Sequence, residues 1–134
     1  MAAGKKIWDP LRRRDVALTP EEEVRQWLIG VLRDGAGVPL HQMMSEVELR
    51  CGRKSWRADL VVYGRGGTTL AIAECKRPSV ALTPDVLEQA LRYNSVLDVR
   101  CIIISNGRDT RVFVKKENWE AADHLLSYEE MLTL

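Results

Sequence analysis

Two short runs hold the residues of this chain best suited to chemistry. Leu70-Ala71-Ile72-Ala73-Glu74-Cys75-Lys76 is apolar and strand-like until it ends in a carboxylate and an ammonium two residues apart. Side chains alternate along a strand, so Glu74 and Lys76 point the same way, roughly 6–7 Å apart. Upstream, Ala58-Asp59-Leu60-Val61-Val62-Tyr63 carries an acid near its start, and Gly64-Arg65-Gly66-Gly67 between the runs reads as a hairpin turn. Register decides whether the acids meet. If paired residue numbers sum to 133, Asp59 stands opposite Glu74, with Cα atoms about 4.5–5.5 Å apart. A slip of two offsets them on one face; a slip of one sends them to opposite faces.

Two carboxylates that close repel unless they share a proton or a cation. A hard divalent ion, Mg2+ or Mn2+, takes oxygen ligands and retains waters, so Asp59 and Glu74 are the candidate metal ligands. Lys76 beside the ion could orient or deprotonate a water. Asp59, Glu74 and Lys76 are thus candidate catalytic residues for metal-assisted hydrolysis of a phosphodiester.

The elements that position them follow from caps and periodicity. Thr19 caps a first helix, Pro20 suits its first position and Glu22 completes a capping box. Val24, Trp27, Leu28, Val31 and Leu32 form its apolar stripe, which makes Trp27 a core residue. Ser45–Cys51 alternates as a strand, with Gly52 to Ser55 as the turn into the Asp59 strand. Thr83-Pro84-Asp85 starts a second helix whose buried face is Val86, Leu87, Ala90, Leu91 and Val96 or Leu97. Gln89 and Tyr93, four apart, share one side of it. Val99–Ile104 reads as an interior strand, Ser105-Asn106-Gly107 as a turn, Arg111–Val114 as a strand and 118–134 as a terminal helix. The expected order is α-β-β-β-α-β-β-α. Residues 1–17 are expected to form a basic arm packing by Ile7, Trp8 and Leu11, ahead of a single domain over 18–134.

A chain of 134 residues, 46% apolar and 29% charged, suits one globular domain. No apolar run approaches the ~20 residues of a membrane span and no signal peptide is visible, so a cytoplasmic protein without membrane partners is expected. Cys51, Cys75 and Cys101 have neither zinc nor disulfide spacing and read as small buried residues. His41 and His124 lack carboxylate or cysteine partners at ligand spacing and read as surface or packing residues; Trp56 reads as core, with stacking on a base as the alternative. Net charge is only +1, but basic clusters recur: Lys5, Lys6 and Arg12–Arg14; Arg50, Arg53, Lys54 and Arg57; Arg108, Arg111, Lys115 and Lys116. Several around one acidic centre suit contacts to a phosphate backbone.

Asp59, then Glu74-Cys75-Lys76, then Gln89-Ala90-Leu91-Arg92-Tyr93 resembles the PD-(D/E)xK nuclease superfamily, in particular the N-terminal nuclease domain of type I restriction enzyme R subunits. The likeness runs from about Asp9 to Glu130 and includes Thr19–Gln26, Glu46, Arg57-Ala58-Asp59, Arg77-Pro78 and Ser105-Asn106-Gly107. It implies a restriction-endonuclease-like α/β core, a mixed sheet of about four strands flanked by helices. It further implies that Asp59 and Glu74 bind Mg2+, that Lys76 assists the attacking water, and that Glu46 joins or supports the metal shell. Gln89 and Tyr93 would contact DNA or orient catalytic groups, with Arg57 and Arg77 as further nucleic-acid contacts. The superfamily's helix-one acid falls among Glu21, Glu22 and Glu23; capping occupies Glu22, and Glu21 lies nearer the apolar face than Glu23 by about 60°. Type I R subunits also carry an ATP-driven translocase. No G-x-x-x-x-G-K-[ST] loop occurs here, so translocation is not expected of these residues alone. The implied partner is DNA, within a larger restriction or mobile-element complex. The alternative is a catalytically inactive nucleic-acid-binding or assembly module on the same fold, and the spacing does not choose between DNA and RNA.

Overall fold

The computed structural model describes residues 4–134. Strands β1 (Lys6–Asp9) and β2 (Arg14–Ala17) make a small antiparallel hairpin. Helix α1 (Pro20–Gly30) follows and continues as a π-turn over Val31–Gly35. The main sheet is laid down in chain order: β3 (Met43–Cys51), β4 (Lys54–Tyr63), β5 (Thr69–Cys75), β6 (Cys101–Ser105), β7 (Thr110–Lys115) and β8 (Trp119–Ala122). Helix α2 (Pro84–Asn94) separates β5 from β6, and α3 (Tyr128–Leu132) ends the chain. Only β5 and β6 are parallel, because α2 carries the chain back to the end of the sheet where β5 began. The fold is a mixed α/β sheet of six strands flanked by helices, two more strands than the resemblance implied. Among the described residues no helix is long and apolar enough to cross a membrane.

Two apolar cores sandwich the sheet. Val24, Leu28, Ile29 and Leu32, with Met131 of α3, cover Leu60, Val62, Ala71, Ala73 and Ile103 on one face. Ala90 of α2, with Leu82 and Leu97, covers Val61, Ile72, Ile102 and Ile104 on the other. The alternation of these side chains along β4, β5 and β6 is what a strand buried on both faces requires.

The β3–β4 ribbon crosses from one core to the other. Met43, Leu60 and Val62 face the α1 side, while Val47, Leu49, Trp56 and Ala58 face α2. The switch falls at Glu46 and Asp59. Glu46 takes a left-handed φ of 51°, uncommon for a non-glycine residue in a strand; pairing lapses at Glu46 and Asp59, yet the same register holds on both sides, to Ser45↔Leu60 and from Val47↔Ala58.

Several expectations need correction. Trp27 is 45% exposed, not core. The buried side of α1 is turned toward Glu22, Arg25 and Ile29, because the β1–β2 hairpin covers it there, and Trp27 lies about 200° around the helix from Arg25. The tail is not one helix: Trp119–Ala122 pairs with β7, and a capping box of Ser127 and Glu130 starts a helix of five residues. The β3–β4 turn is shorter than expected, because Gly52 at a φ of 63° lets β4 begin at Lys54. Cys51, beside that turn, is exposed; Cys75 and Cys101 are buried, and burial pushes the Cys101 thiol up to about 12. Val96 is exposed and Leu97 takes the buried position. His124 does have carboxylate partners, Asp123 and Glu130, on an exposed surface, and their hydrogen bonds raise its pKa.

The basic segment ahead of α1 is held by charge more than by apolar packing. Trp8 is exposed and Leu11 packs against the α1-side core, but Asp9 is fully buried and bonded to Arg12 and to the Leu11 N–H. Arg12 reaches on to the carboxylate of Glu22. Thr19 caps α1 as expected, its Oγ1 accepting from the Glu22 N–H at 3.1 Å. The reciprocal half of the box is missing, since the Glu22 side chain turns to Arg12, Arg25 and Gln26. Burial pushes the Asp9 carboxyl up, but Arg12 and the Leu11 N–H outweigh it and hold it below its ordinary 3.8. Arg12→Met strands two buried carboxylates and is expected to cost about 3 kcal/mol, lowering Tm by roughly 10 °C. A depressed carboxyl pKa stabilises the fold above 3.8 and loses that effect as pH falls through the folded value. The gap between wild type and variant in urea unfolding should therefore be full at neutral pH and close on acidification.

Candidate active site

Pairing of β4 with β5 runs Val62↔Ala71, Val61↔Ile72, Leu60↔Ala73, the register in which paired numbers sum to 133. A bulge at Val62/Tyr63 absorbs one residue next to the glycine-rich turn. Asp59 is the next residue beyond the last pair, where β4 twists away from β5. The Cys75 N–H, left without a ladder partner, donates to Asp59 Oδ2 at 2.7 Å. One hydrogen bond thus fastens the aspartate to the residue between Glu74 and Lys76.

Glu74 is held from the other layer. Its Oε1 accepts from Asn94 Nδ2 at 3.1 Å, and its Oε2 lies 2.9 Å from Lys76 Nζ. Asn94, only 2% exposed at the end of α2, also donates to the Ala90 carbonyl at 2.7 Å, which fixes its rotamer. The Lys76 N–H donates to the Ser105 carbonyl at 2.8 Å, so β6 carries the strand edge past Cys75. Gln89 and Tyr93 line an open cleft with Glu74, Lys76, Val80 and Val86, and both are exposed there. Trp56 is half-buried against the α2-side core and meets Tyr93 with ring centroids 6.1 Å apart.

Charge is concentrated around Asp59. Burial raises its carboxyl pKa, the Cys75 N–H and Arg25 lower it, and the negative charges of Glu74 and Glu21 raise it again; the net direction is up. Asp59 therefore lies within electrostatic reach of both Glu74 and Glu21. Arg25, buried on α1, has Nη2 3.8 Å from Asp59 Oδ1 and Nη1 3.3 Å from Glu46 and 3.4 Å from Glu22. Glu46 is also 3.5 Å from Arg12 and 3.7 Å from Arg57. Burial pushes the Glu46 carboxyl up, but these arginines prevail and hold it below its ordinary range. Arg57 and Arg77 are exposed at the margin.

The structure thus brings Asp59, Glu74, Lys76, Gln89 and Tyr93 together where β5 ends, with Glu21 at the start of α1 and Glu46 tied to arginines. Sequence reasoning missed Arg25 and Asn94, and gave Glu22 only a capping role. Arg25 carries only the mark of an ordinary helix-surface charge, and Asn94 that of a helix end. The donor set suits a hard cation: Asp59 Oδ1 faces Arg25 only at 3.8 Å, and a second carboxylate stands near. Among the described residues no group of three or more His, Cys, Asp or Glu forms a ready cage. Mg2+ asks for less, one or two carboxylates completed by waters and phosphate oxygens.

Residues 20–127 match the family model described as Type I restriction enzyme R protein N terminus (HSDR_N). The chain belongs to this family. Among solved structures it is similar to one described as a "putative nuclease belonging to DUF820 from Anabaena variabilis ATCC 29413", with a TM-score of 0.53 and 11% identity over 96% of this chain and 84% of that one. At that identity the likeness is one of fold. No curated protein sequence matches the chain. The matched region holds Asp59, Glu74, Lys76, Gln89 and Tyr93, while the β1–β2 hairpin precedes it.

Asn94→Ala removes the only side chain anchoring Glu74 from α2. It should cost about 1–2 kcal/mol in urea unfolding, as expected for loss of a buried side-chain hydrogen bond.

Proposed function

We propose that this domain is a Mg2+- or Mn2+-dependent endonuclease that hydrolyses DNA phosphodiester bonds. The observation that carries the reading is the 2.7 Å bond from the Cys75 N–H to Asp59, which joins the aspartate to the Glu74–Lys76 strand end. Membership in a restriction-enzyme family and a fold shared with a protein described as a nuclease support it.

Asp59 and Glu74 would hold the ion, which when bound supplies positive charge against the scissile phosphate and acidifies a water. The chain's residues do the rest. Lys76, with Nζ steered by Glu74 at 2.9 Å, stands where it can orient the attacking water or take its proton. Asn94 keeps Glu74 turned toward the cleft, and the Cys75 N–H fastens Asp59 to the strand end that carries Glu74 and Lys76. Arg25 compensates the crowded acids before substrate arrives. Gln89 and Tyr93 line the cleft wall where a nucleotide would lie, and the exposed Arg57 and Arg77 would serve as further phosphate contacts. Glu46, held by three arginines, supports this arrangement from β3. The domain would act on DNA within a larger restriction or mobile-element assembly.

The purified chain should convert supercoiled DNA to open or linear forms with Mg2+ or Mn2+, and Asp59→Asn and Lys76→Met should each slow cutting by at least about 100-fold. Independently, Mn2+ at about 100 times its Kd should stabilise the wild type by about 2.7 kcal/mol, and by much less in Asp59→Asn. Equal cutting by all three proteins rejects the assignment. No cutting and no metal-induced stabilisation, with DNA binding retained, would instead make the domain a docking module on a nuclease fold.

A further inference from the structure

The outer half of the β3–β4 ribbon is not used by the chemistry above. Pairing of β4 with β5 ends at Leu60↔Ala73, whereas β3–β4 pairing continues to Cys51↔Lys54. From Asp59 to Lys54 is five residues, so the ribbon carries its tip about 17 Å beyond the aspartate. Every residue from Arg50 to Ser55 is exposed. Between Glu48 and Arg57 stand four cations, Arg50, Arg53, Lys54 and Arg57, against the single acid Glu48, in a chain whose overall charge is only +1. Arg50 lies 3.9 Å from Glu48 and Arg57 3.7 Å from Glu46, while Arg53 and Lys54 have no acidic partner among the described residues.

The ribbon is braced as well as charged. Val47, Leu49 and Trp56 pack its inner face against the α2-side core, and Trp56 meets Tyr93, which lines the cleft of Glu74 and Lys76. Its root is Asp59 itself. A stiff basic strand pair joined at one end to the acidic centre would place its charges over the backbone next to a bound phosphate, with little ordering cost on binding. Cations on an edge strand also deter pairing between sheet edges. That need bears on Arg50 and Lys54, which lie on strand edges, but not on Arg53, which sits in the turn itself.

We propose that the outer β3–β4 ribbon is a duplex-DNA docking element whose Arg50, Arg53 and Lys54 engage backbone phosphates beside the cleavage site. This rests on the nuclease reading for its ligand. Along one strand, phosphates advance about 3.4 Å of helix axis per step, so a reach of about 17 Å corresponds to roughly five steps from the cleft.

Fluorescence anisotropy with a labelled duplex, the full chain and EDTA measures binding without cutting. Plotted as log affinity against log salt between about 50 and 200 mM, Arg50→Ala/Arg53→Ala/Lys54→Ala should flatten the slope by about 2.7, the loss of three phosphate contacts. Arg50→Lys/Arg53→Lys should retain it. Arg65→Ala/Arg100→Ala, two exposed cations ahead of β5 and β6 at the end of the sheet away from Lys76, should leave it unchanged. The triple variant should keep the wild-type near-UV spectrum and Mn2+-induced stabilisation, which separates docking from the metal site. A wild type that binds duplex with the same slope as the triple variant overturns the ribbon proposal and leaves the nuclease reading standing. Equal flattening by the Arg65/Arg100 pair also overturns it, as does an effect confined to single strands or RNA. A wild type that binds no duplex at low salt fails the nuclease reading first.

Discussion

A single backbone donor organises the site. Where β4 twists off β5, the Cys75 N–H loses its ladder acceptor, and a buried donor left unmet costs about 1–3 kcal/mol. Asp59 Oδ2 takes it at 2.7 Å. The requirement that a buried strand end be satisfied thereby becomes a positional constraint on a carboxylate. The partner acid is constrained by different means, a buried asparagine on α2 and the neighbouring lysine. One acid is therefore referenced to the backbone of β5 and the other to a helix on the opposite side of the sheet, so the space between them is set by how α2 packs on Ile72, Ile102 and Ile104.

The cost of gathering acids is offset by buried arginines. Asp9, Glu22, Glu46 and Asp59 are threaded by Arg12 and Arg25, which run from the β1–β2 hairpin through α1 to β4. Such pairs add little to net stability compared with apolar packing, but removing one member leaves an uncompensated charge. The network therefore fixes where α1 and the hairpin sit. It also makes the hairpin electrostatically part of the site, although its strands lie ahead of the region shared with the family.

What was legible in the sequence was local. The glycine-rich turn and the apolar runs on either side marked the β4–β5 hairpin and left a few registers open, of which the structure adopts the one whose paired numbers sum to 133. Thr-Pro pairs marked both long helices, since an oxygen cap and a proline at the first position act within one turn. What failed was tertiary. Trp27 obeys the helical period, yet the hairpin claims the adjoining flank of α1 and leaves the indole outside. Residues 119–122 pair with β7 because an edge was free there, which no local preference announces. Arg25 and Asn94 escaped notice because their partners lie on strands distant in sequence.

The left-handed Glu46 belongs to the same logic. Its backbone, of a kind that costs of order 1–3 kcal/mol in a residue with a side chain, sits at the register position facing Asp59, where the ribbon changes cores. A flat β3–β4 ribbon would keep Asp59 in the ladder and Val47 on the face of Met43. The twist instead frees the aspartate to reach Cys75, turns Val47, Leu49 and Trp56 onto α2, and brings Glu46 within reach of Arg12, Arg25 and Arg57. Strain at one residue is thus compensated by a hydrogen bond, an apolar contact surface and three ion pairs, all of which border the acidic centre. Packing on α2 and the position of the carboxylates cannot be altered independently, because the same twist sets both.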